Sequence, residues 1–480
     1  MFINGKIWKT KTIPGLLPNQ INAIFVFPFY WDNYVQNPYM SVDIKFIQSE
    51  IEDQYLNDEN PRPWIIGFSG GKDSTMLLQM VWLTIKKLPA QLRTRKIYVV
   101  CNDTLVENPK IVKFIHQTLD KINQAAAEQA LPITVHQTTP RLEDTFWVNL
   151  LGKGYPAPNN TFRWCTDRLK IEPTTEFIRN KISEVGEAII LLGTRSDESN
   201  TRAKSIENSK IHIDSERLRK HVLPNAFVFA PIKDVITDEV WTYLLQVNPP
   251  WGGTHRDLIT LYRNASGGDC PLVIDTTTPS CGQSRFGCWV CTVVKRDRSM
   301  EALVDNGEDW MEPLIDFRDM LVDKRNDRSW RQTWRRNQNE EDANEDNWGP
   351  YLPEKRAFML QELLRAQQEV QREDPNLVLI NYQELVAVQV TWHRDSIFEH
   401  SVADIYNSIY HTDLKKEDFS DGQVFEKELL KEVCDDEADF KLIEELLEIQ
   451  KSKIILVNNY GIQSDLENHL EKDYRKRAAC

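Results

Sequence analysis

The sequence contains no apolar run approaching the ~20 residues that a membrane-spanning helix needs. The longest early candidate, Ile21 to Trp31, is too short and contains Pro28. The opening residues MFINGKIWKTKTIPG lack the basic segment, apolar segment and small-residue cleavage site of a secretory leader. No stretch repeats at solenoid length, and no low-complexity tract is long enough to serve as a disordered linker. Membrane-spanning, solenoid and disordered classes are thereby set aside, and the expectation is a soluble cytoplasmic protein with no membrane partner. Cysteine is scarce, at eight in 480 residues, and in a reducing compartment these thiols read as ligands or nucleophiles before disulfides. The net charge of -14 repels nucleic acid at long range, but salt screens beyond ~10 Å, so a local basic patch can still decide binding.

What is present is ordinary globular material: 41% hydrophobic residues, with 14 Trp and 19 Phe, supply ample core. The length exceeds what a single core organises, so two or three domains are expected. The apolar run Trp64 to Phe68, the turn Ser69 to Ser74 and apolar positions at Met76, Leu77, Met80, Val81 and Ile85 read as strand, glycine loop and amphipathic helix. Strands at Lys96 to Cys101, Ile133 to Gln137 and Ala188 to Leu192 then alternate with helices at Asn108 to Ala130 and Glu172 to Val185. Such alternation predicts an α/β fold with a parallel sheet, whose ligand sits at the carboxyl ends of the strands. Three polar clusters follow strands: Ser69 to Ser74, Asn102 to Thr104, and Gly193 to Arg195. They are expected on one edge. Residues 1–60 form an N-terminal segment with a helix at Asp43 to Tyr55, residues 61–248 the α/β domain, residues 249–298 a four-cysteine region, and residues 299–480 a helical domain. In the last, helical periodicity is clearest at Leu360 to Val370 and Phe425 to Ile449.

A phosphate-binding turn needs inward-pointing backbone N–H groups and the positive end of a helix dipole. Gly70, Gly71 and the helix beginning near Asp73 offer both, Lys72 adds a full charge, and Ser69 and Ser74 add hydroxyls. The spacing is not Walker A. SGGKDS resembles the PP-loop of the ATP pyrophosphatases, whose adenine nucleotide alpha hydrolase-like fold holds the pyrophosphate end of ATP for cleavage between the α and β phosphates. Three further segments resemble the PAPS reductase-like branch of that family: Arg163-Trp-Cys-Thr-Asp-Arg-Leu-Lys170, Gly193-Thr-Arg-Ser-Asp-Glu-Ser-Asn-Thr-Arg202, and Pro231 to Leu244. Arg163, Lys170, Arg195 and Arg202 offer cations to phosphate oxygens, with Gly193 opening the third motif, and Asp73 and Asp103 offer hard oxygens to Mg²⁺. Any one of these charges alone reads equally as a solvated surface group. The chain ends in DYRKRAAC, so Cys480 lacks the context of a sulfonucleotide reductase cysteine, which ranks sulfate reduction low.

Cys270, Cys281, Cys288 and Cys291 form a C-x10-C-x6-C-x2-C set, suited to zinc or an iron-sulfur cluster, or to four buried structural thiols. The PP-loop motifs, this cluster and FGCWVCT ahead of a Trp-rich helical tail together resemble the DndC family of DNA phosphorothioation proteins, with SspD of single-strand phosphorothioation a near relative. The resemblance implies a [4Fe-4S] cluster on the four cysteines. It implies DNA as substrate, and a cysteine desulfurase and the Dnd proteins DndD and DndE as partners. The implied reaction adenylates a backbone phosphate oxygen and replaces AMP with sulfur, with Lys72 and Asp73 catalytic and Cys165 either a persulfide carrier or a packing residue. Arg325, Arg328, Arg331 and Arg335, interleaved with Trp330 and Trp334, are candidate DNA contacts, although at helical spacing the two Trp can equally be core. Thiolation of tRNA, and a non-catalytic ATP-sensing DNA-binding subunit, are the alternatives.

Overall fold

Apolar strands bounded by polar turns, joined by helices whose apolar positions recur every three or four residues, can bury both sheet faces only as a parallel α/β layer. The computed structural model has that arrangement. It describes residues 43–56, 60, 62–198, 212–213, 215–265, 287–335, 348–395, 397, 399–414, 430–431, 434, 436–456 and 470. Seven strands, β1 (Trp64–Gly67), β2 (Ile97–Asn102), β3 (Ile133–Thr138), β4 (Ala188–Leu191), β5 (His212–Ile213), β6 (Ser215–Lys220) and β7 (Ala226–Phe229), lie in the order β3-β2-β1-β4-β7-β6-β5. β1, β2, β3, β4 and β7 run parallel, and β6 and β5 add antiparallel. The strand order reverses at β1, between β2 on one side and β4 on the other, and that switch point is where open α/β sheets leave a ligand crevice.

Helices α1 (Ile44–Leu56), α2 (Lys72–Lys87), α3 (Pro109–Glu128) and α4 (Glu172–Val185) fall within a residue or two of the sequence expectation. The difference lies in burial. Besides the five periodic positions, α2 buries Leu78, Trp82 and Thr84, because α1 and α5 (Thr237–Gln246) both pack against it. Gln79, fully buried on α2, donates to the carbonyls of Val247 (3.0 Å) and Asn248 (2.9 Å) and meets His255 Nε2 at 2.8 Å. These bonds seat helix α6 (Arg256–Ala265) beside the loop that precedes α2.

Burial holds the His255 ring neutral, lowering its pKa from 6.5 to about 4. The folded pKa lies below the unfolded one, so this stability is complete above pH 6.5 and is lost as pH falls through 4. The expected loss is about 3 kcal/mol, seen as a falling thermal midpoint between pH 6.5 and 4 that flattens in His255→Gln.

The C-terminal half is helical, with α7 (Arg298–Asp305), α8 (Glu312–Lys324), α9 (Pro353–Val370), α10 (Tyr382–Arg394), α11 (Val402–Tyr410) and α12 (Glu437–Leu456). Its core is continuous with residues from the α/β half: Phe146, Trp147, Leu150, Leu151 and Trp164 pack in one cluster with Trp289, Leu360 and Trp392. The indole N–H of Trp147 donates to the Leu379 carbonyl (2.6 Å) and that of Trp392 to the Leu151 carbonyl (2.8 Å), satisfying the polar end of each buried ring. The chain from Phe146 to Leu169 is thereby clamped to the helical half. Among the described residues no helix is long and apolar enough to cross a membrane.

Candidate functional site

β1, β2 and β4 end side by side because they are parallel and in register, so Ser69 to Ser74, Asn102 to Thr104 and Gly193 to Arg195 emerge on one edge, as their positions after strands require. Gly70 adopts a φ of +72°, and a Cβ there would lie 2.7 Å from the Ile115 side chain. Glycine is required on both counts. Gly193 closes the other side of the crevice, since a Cβ on it would come within 3.0 Å of the Asp73 carbonyl. Ser74 Oγ donates to the Gly71 carbonyl (3.0 Å) and accepts from the Ser69 N–H (3.2 Å), which fixes the bend. Among the described residues no side chain caps the N-terminus of α2, and its dipole is directed into the crevice.

Two groups of this loop already have neutral partners. The Lys72 N–H donates to the Tyr262 hydroxyl at 3.3 Å, and the Lys72 ammonium lies 5.6 Å from the centre of the same ring while pairing with Asp73 at 3.1 Å. Tyr262 is buried on α6 and packs edge-on against Trp241 at 4.9 Å; burial pushes its phenol well above the ordinary value, so it stays neutral. A phosphate oxygen reaching the Lys72 amide must displace this hydroxyl. Tyr262→Phe is therefore expected to tighten ATP roughly 2- to 10-fold, the worth of one neutral hydrogen bond, measured by calorimetry with a non-hydrolysable analogue. Weaker binding would mean that the hydroxyl contacts the nucleotide.

Arg195 is only 1% exposed. Its Nε reaches Asp73 at 2.7 Å, Nη1 reaches the Val235 carbonyl (3.0 Å) and Asp197 (3.4 Å), and Nη2 reaches Thr237 (3.1 Å). Rather than lying open to a phosphate, the guanidinium ties the loop to the strand-to-helix element that follows β7. With Lys72 on one oxygen and Arg195 on the other, the Asp73 carboxylate is neutralised in this arrangement and is a poor Mg²⁺ ligand. Asp103 suits the ion better: one oxygen accepts the Leu105 N–H (2.8 Å), while the other, among the described residues, has a distant Gln137 amide at 3.5 Å. Arg202 lies outside the described residues.

The cysteine chemistry converges on the same edge. Cys288 forms an isolated β-bridge with Glu107, just beyond β2, and the Trp289 N–H donates to the Val106 carbonyl (3.0 Å). The Cys291 N–H closes the C-x2-C turn onto the Cys288 carbonyl (3.1 Å). Cys288 Sγ stands 3.4 Å from the Thr104 hydroxyl and 3.7 Å from Glu107, which in turn pairs with Lys170 at 3.3 Å. Burial, then Glu107, raises the Cys288 thiol above its ordinary pKa, whereas Lys170 opposes that rise. The Cys288 sulfur, and then Glu107, raises the Lys170 pKa, so its charge is committed to this group. Cys165 is half-buried within electrostatic range of Cys291; burial and then that neighbour raise its pKa, while Arg163 and Lys170 lower it. Cys101, pushed up to about 12 by burial and by Asp103, is a packing thiol. A cavity of 450 Å³ opens at this edge beside Asp103, Glu107 and Trp289.

Cys270 and Cys281 lie outside the described residues, among which no group of three or more ligating side chains is gathered. The part that is described fits a thiophilic centre: two sulfurs on one tight turn, with a hydroxyl and an ammonium placed to stabilise thiolate charge. Thr104 belongs to the polar cluster read after β2, whereas Glu107 and Tyr262 went unnoticed in the sequence. Glu107 lies five residues past the end of β2, a position that could have flagged it, and nothing local marks Tyr262.

Residues 63–294 match the family model of the phosphoadenosine phosphosulfate reductase domain. The sheet and helices over these residues have the PAPS reductase-like PP-loop fold. Across 221 residues, 46% of the chain, the sequence is 29% identical to an uncharacterized protein of Methanocaldococcus jannaschii, and the match spans 37% of that relative's length. Two solved structures are similar to the chain. One is a PAPS reductase from Candida auris in a phosphate complex, at 13% identity over 43% of this chain and 88% of that one, with a TM-score of 0.23. The other is the U34-tRNA thiolase NcsA from Methanococcus maripaludis with its [4Fe-4S] cluster, at 11% identity over 59% and 78%, with a TM-score of 0.28. Within the matched residues the loop of residues 69–74, Cys165 and the C-x2-C pair share one sheet edge.

The arginine run is arranged differently from the helical spacing considered above. α8 ends at Lys324; Asp327 then caps a single 3₁₀ turn, and Arg331 bridges to Tyr351, so residues 325–335 present no helical face. Trp330 is buried against Tyr351 and Phe358, which makes it core. Arg331, also buried, donates Nε to the Gly349 carbonyl, and Arg325 donates Nη1 to the carbonyls of Pro158 and Thr292. Arg328 stacks over Trp348 at 4.6 Å, and Arg335 is exposed.

Proposed function

We propose that this protein is an ATP pyrophosphatase that installs sulfur in the DNA backbone. The observation that carries the reading is the shared edge: a phosphate-binding bend and three thiols, Cys165, Cys288 and Cys291, at the carboxyl ends of β1, β2 and β4. In the proposed sequence a non-bridging oxygen of a DNA phosphate attacks the α-phosphorus of ATP and pyrophosphate departs. Hydrosulfide, released from the desulfurase persulfide by a thiol reductant that is itself oxidised to a disulfide, then attacks the activated phosphorus, and AMP leaves with the electron pair of the broken P–O bond. Lys72 and the amides of the bend hold the pyrophosphate and stabilise its growing charge, a preorganised electrostatic role. Arg195 positions Asp73, so the Lys72 ammonium is held at the mouth of α2. Arg163, exposed beside Cys165, favours thiolate there. An iron-sulfur cluster on Cys288, Cys291, Cys270 and Cys281 would supply a site for binding sulfide. DndD and DndE would be partners in delivering DNA.

The test is mass spectrometry of digested DNA from cells with and without this protein, in the presence of the desulfurase and partner proteins. Sulfur-bearing dinucleotides that appear only with the protein are expected. Sulfur appearing in tRNA instead, or ATP binding without turnover, would contradict the reading.

A further inference from the structure

Helix α8 meets the turn that carries Cys291 through both apolar and polar contacts. Phe317 packs against Trp289, inside the C-x2-C pair, with ring centres 5.9 Å apart, and both rings are buried in the shared core. Arg318, the next residue, is 1% exposed and directs its guanidinium at backbone: Nε donates to the Cys291 carbonyl (3.0 Å), Nη1 to the Lys295 carbonyl (2.9 Å) and Nη2 to the Val294 carbonyl. Asp319, half exposed, also pairs with Nη1. Arg325, directly after α8, donates Nη1 to the carbonyls of Thr292 and Pro158 (3.2 Å to the latter), and the buried Thr292 donates Oγ1 to the same Pro158 carbonyl (2.6 Å). Four of the five carbonyls from Cys291 to Lys295 therefore accept from one of these two guanidinium groups.

A guanidinium loses hydration on burial, and its fixed fork of N–H groups offsets that loss when acceptors stand where the fork points. For Arg318 three of those acceptors come from one short loop, so the loop must follow the path that brings them together. Cys291 begins that loop, and its N–H closes the turn onto the Cys288 carbonyl (3.1 Å), so its backbone is fixed from both directions. Ligands placed before a metal arrives lose less conformational freedom on binding it, and the groups that place them raise affinity. We propose that Arg318 is a positioning residue for the metal site: by gathering the carbonyls of Cys291, Val294 and Lys295 it holds the C-x2-C turn in its ligating shape before metal is bound. The proposal rests on the reading of Cys288 and Cys291 as metal ligands and names the residue that prepares them.

The test uses metal-free full-length protein under anaerobic conditions and two readouts: titration with Co²⁺, followed by the absorption of cobalt–thiolate bonds, and amide hydrogen exchange over residues 288–295 before metal is added. Arg318→Met, which keeps an apolar stem and loses the fork, is expected to weaken Co²⁺ binding about 10- to 100-fold, the scale on which groups supporting a metal ligand act. It is also expected to speed exchange in the turn by about tenfold or more, as the loss of hydrogen bonds from a charged donor requires. Arg318→Lys keeps the charge but cannot span three carbonyls, so both effects should persist at smaller size, and this variant carries the test should Arg318→Met fail to fold. Arg356→Met controls for a general loss of stability: Arg356 is also buried, and it donates to the Tyr351 (2.8 Å) and Gly152 (2.9 Å) carbonyls rather than to this turn. It should lower the thermal midpoint and leave Co²⁺ affinity and exchange in the turn as they are. Unchanged Co²⁺ affinity in the Arg318 variants, even with faster exchange, overturns the proposal, as does an equal loss of affinity in Arg356→Met. Thiolate absorption missing from wild type would instead overturn the metal-ligand reading on which the proposal rests.

Discussion

Lys72→Ala will lower pyrophosphate release from ATP by roughly 10²-fold or more, the scale on which a preorganised charge at a transition state acts. The expectation follows from place and commitment. Lys72 opens α2, at the positive end of its dipole, and its ammonium is held by Asp73 and the Tyr262 ring, with no competing buried role. Removing it therefore costs little fold stability. Thermal unfolding of the variant should match wild type, so lost turnover reads as lost transition-state stabilisation. Unchanged release would remove the ATP assignment from this bend.

Cys288→Ser will strip most of the metal from anaerobically purified protein. Cys288 is the sulfur most firmly built into the edge, through its bridge to Glu107, its contact with Thr104 and the Lys170 charge beside it. Serine keeps the shape and the hydrogen bonds but offers a poor ligand to a soft metal. If the centre is iron-sulfur, wild type absorbs visible light and the variant loses that absorbance together with its iron. If it is zinc, wild type is colourless with stoichiometric zinc, which the variant loses. Metal content unchanged by the substitution would contradict the assignment of Cys288 as a ligand.

Residues 64–87 are legible from sequence because every requirement is local: a buried strand, two glycines, one of them with positive φ, and a helix that begins at once. The shared edge is also legible, since parallel strands put whatever follows them on one side. What sequence could not supply are contacts between distant segments. Tyr262 meets Lys72 across 190 residues, and Arg195 meets Asp73 across 122. A motif arginine looks the same on paper whether it faces a phosphate or a buried aspartate, and burial alone tells them apart. The spacing of Trp330 and Trp334 suggests one helical face, but the Asp327 cap and the Arg331–Tyr351 bridge outweigh it and bury Trp330. The antiparallel pair β6 and β7 leaves no trace in the alternation, because its pairing depends on where β4 lies.

The most direct measurement is the product identity from ATP under turnover with DNA and a sulfur donor, read by anion-exchange chromatography of radiolabelled nucleotide. Cleavage at the inner anhydride predicts AMP and pyrophosphate in equal amounts, rising with the sulfur incorporated. ADP and inorganic phosphate would contradict it, because a bend that grips the pyrophosphate end so that it can leave whole has no use for cleavage at the terminal phosphate.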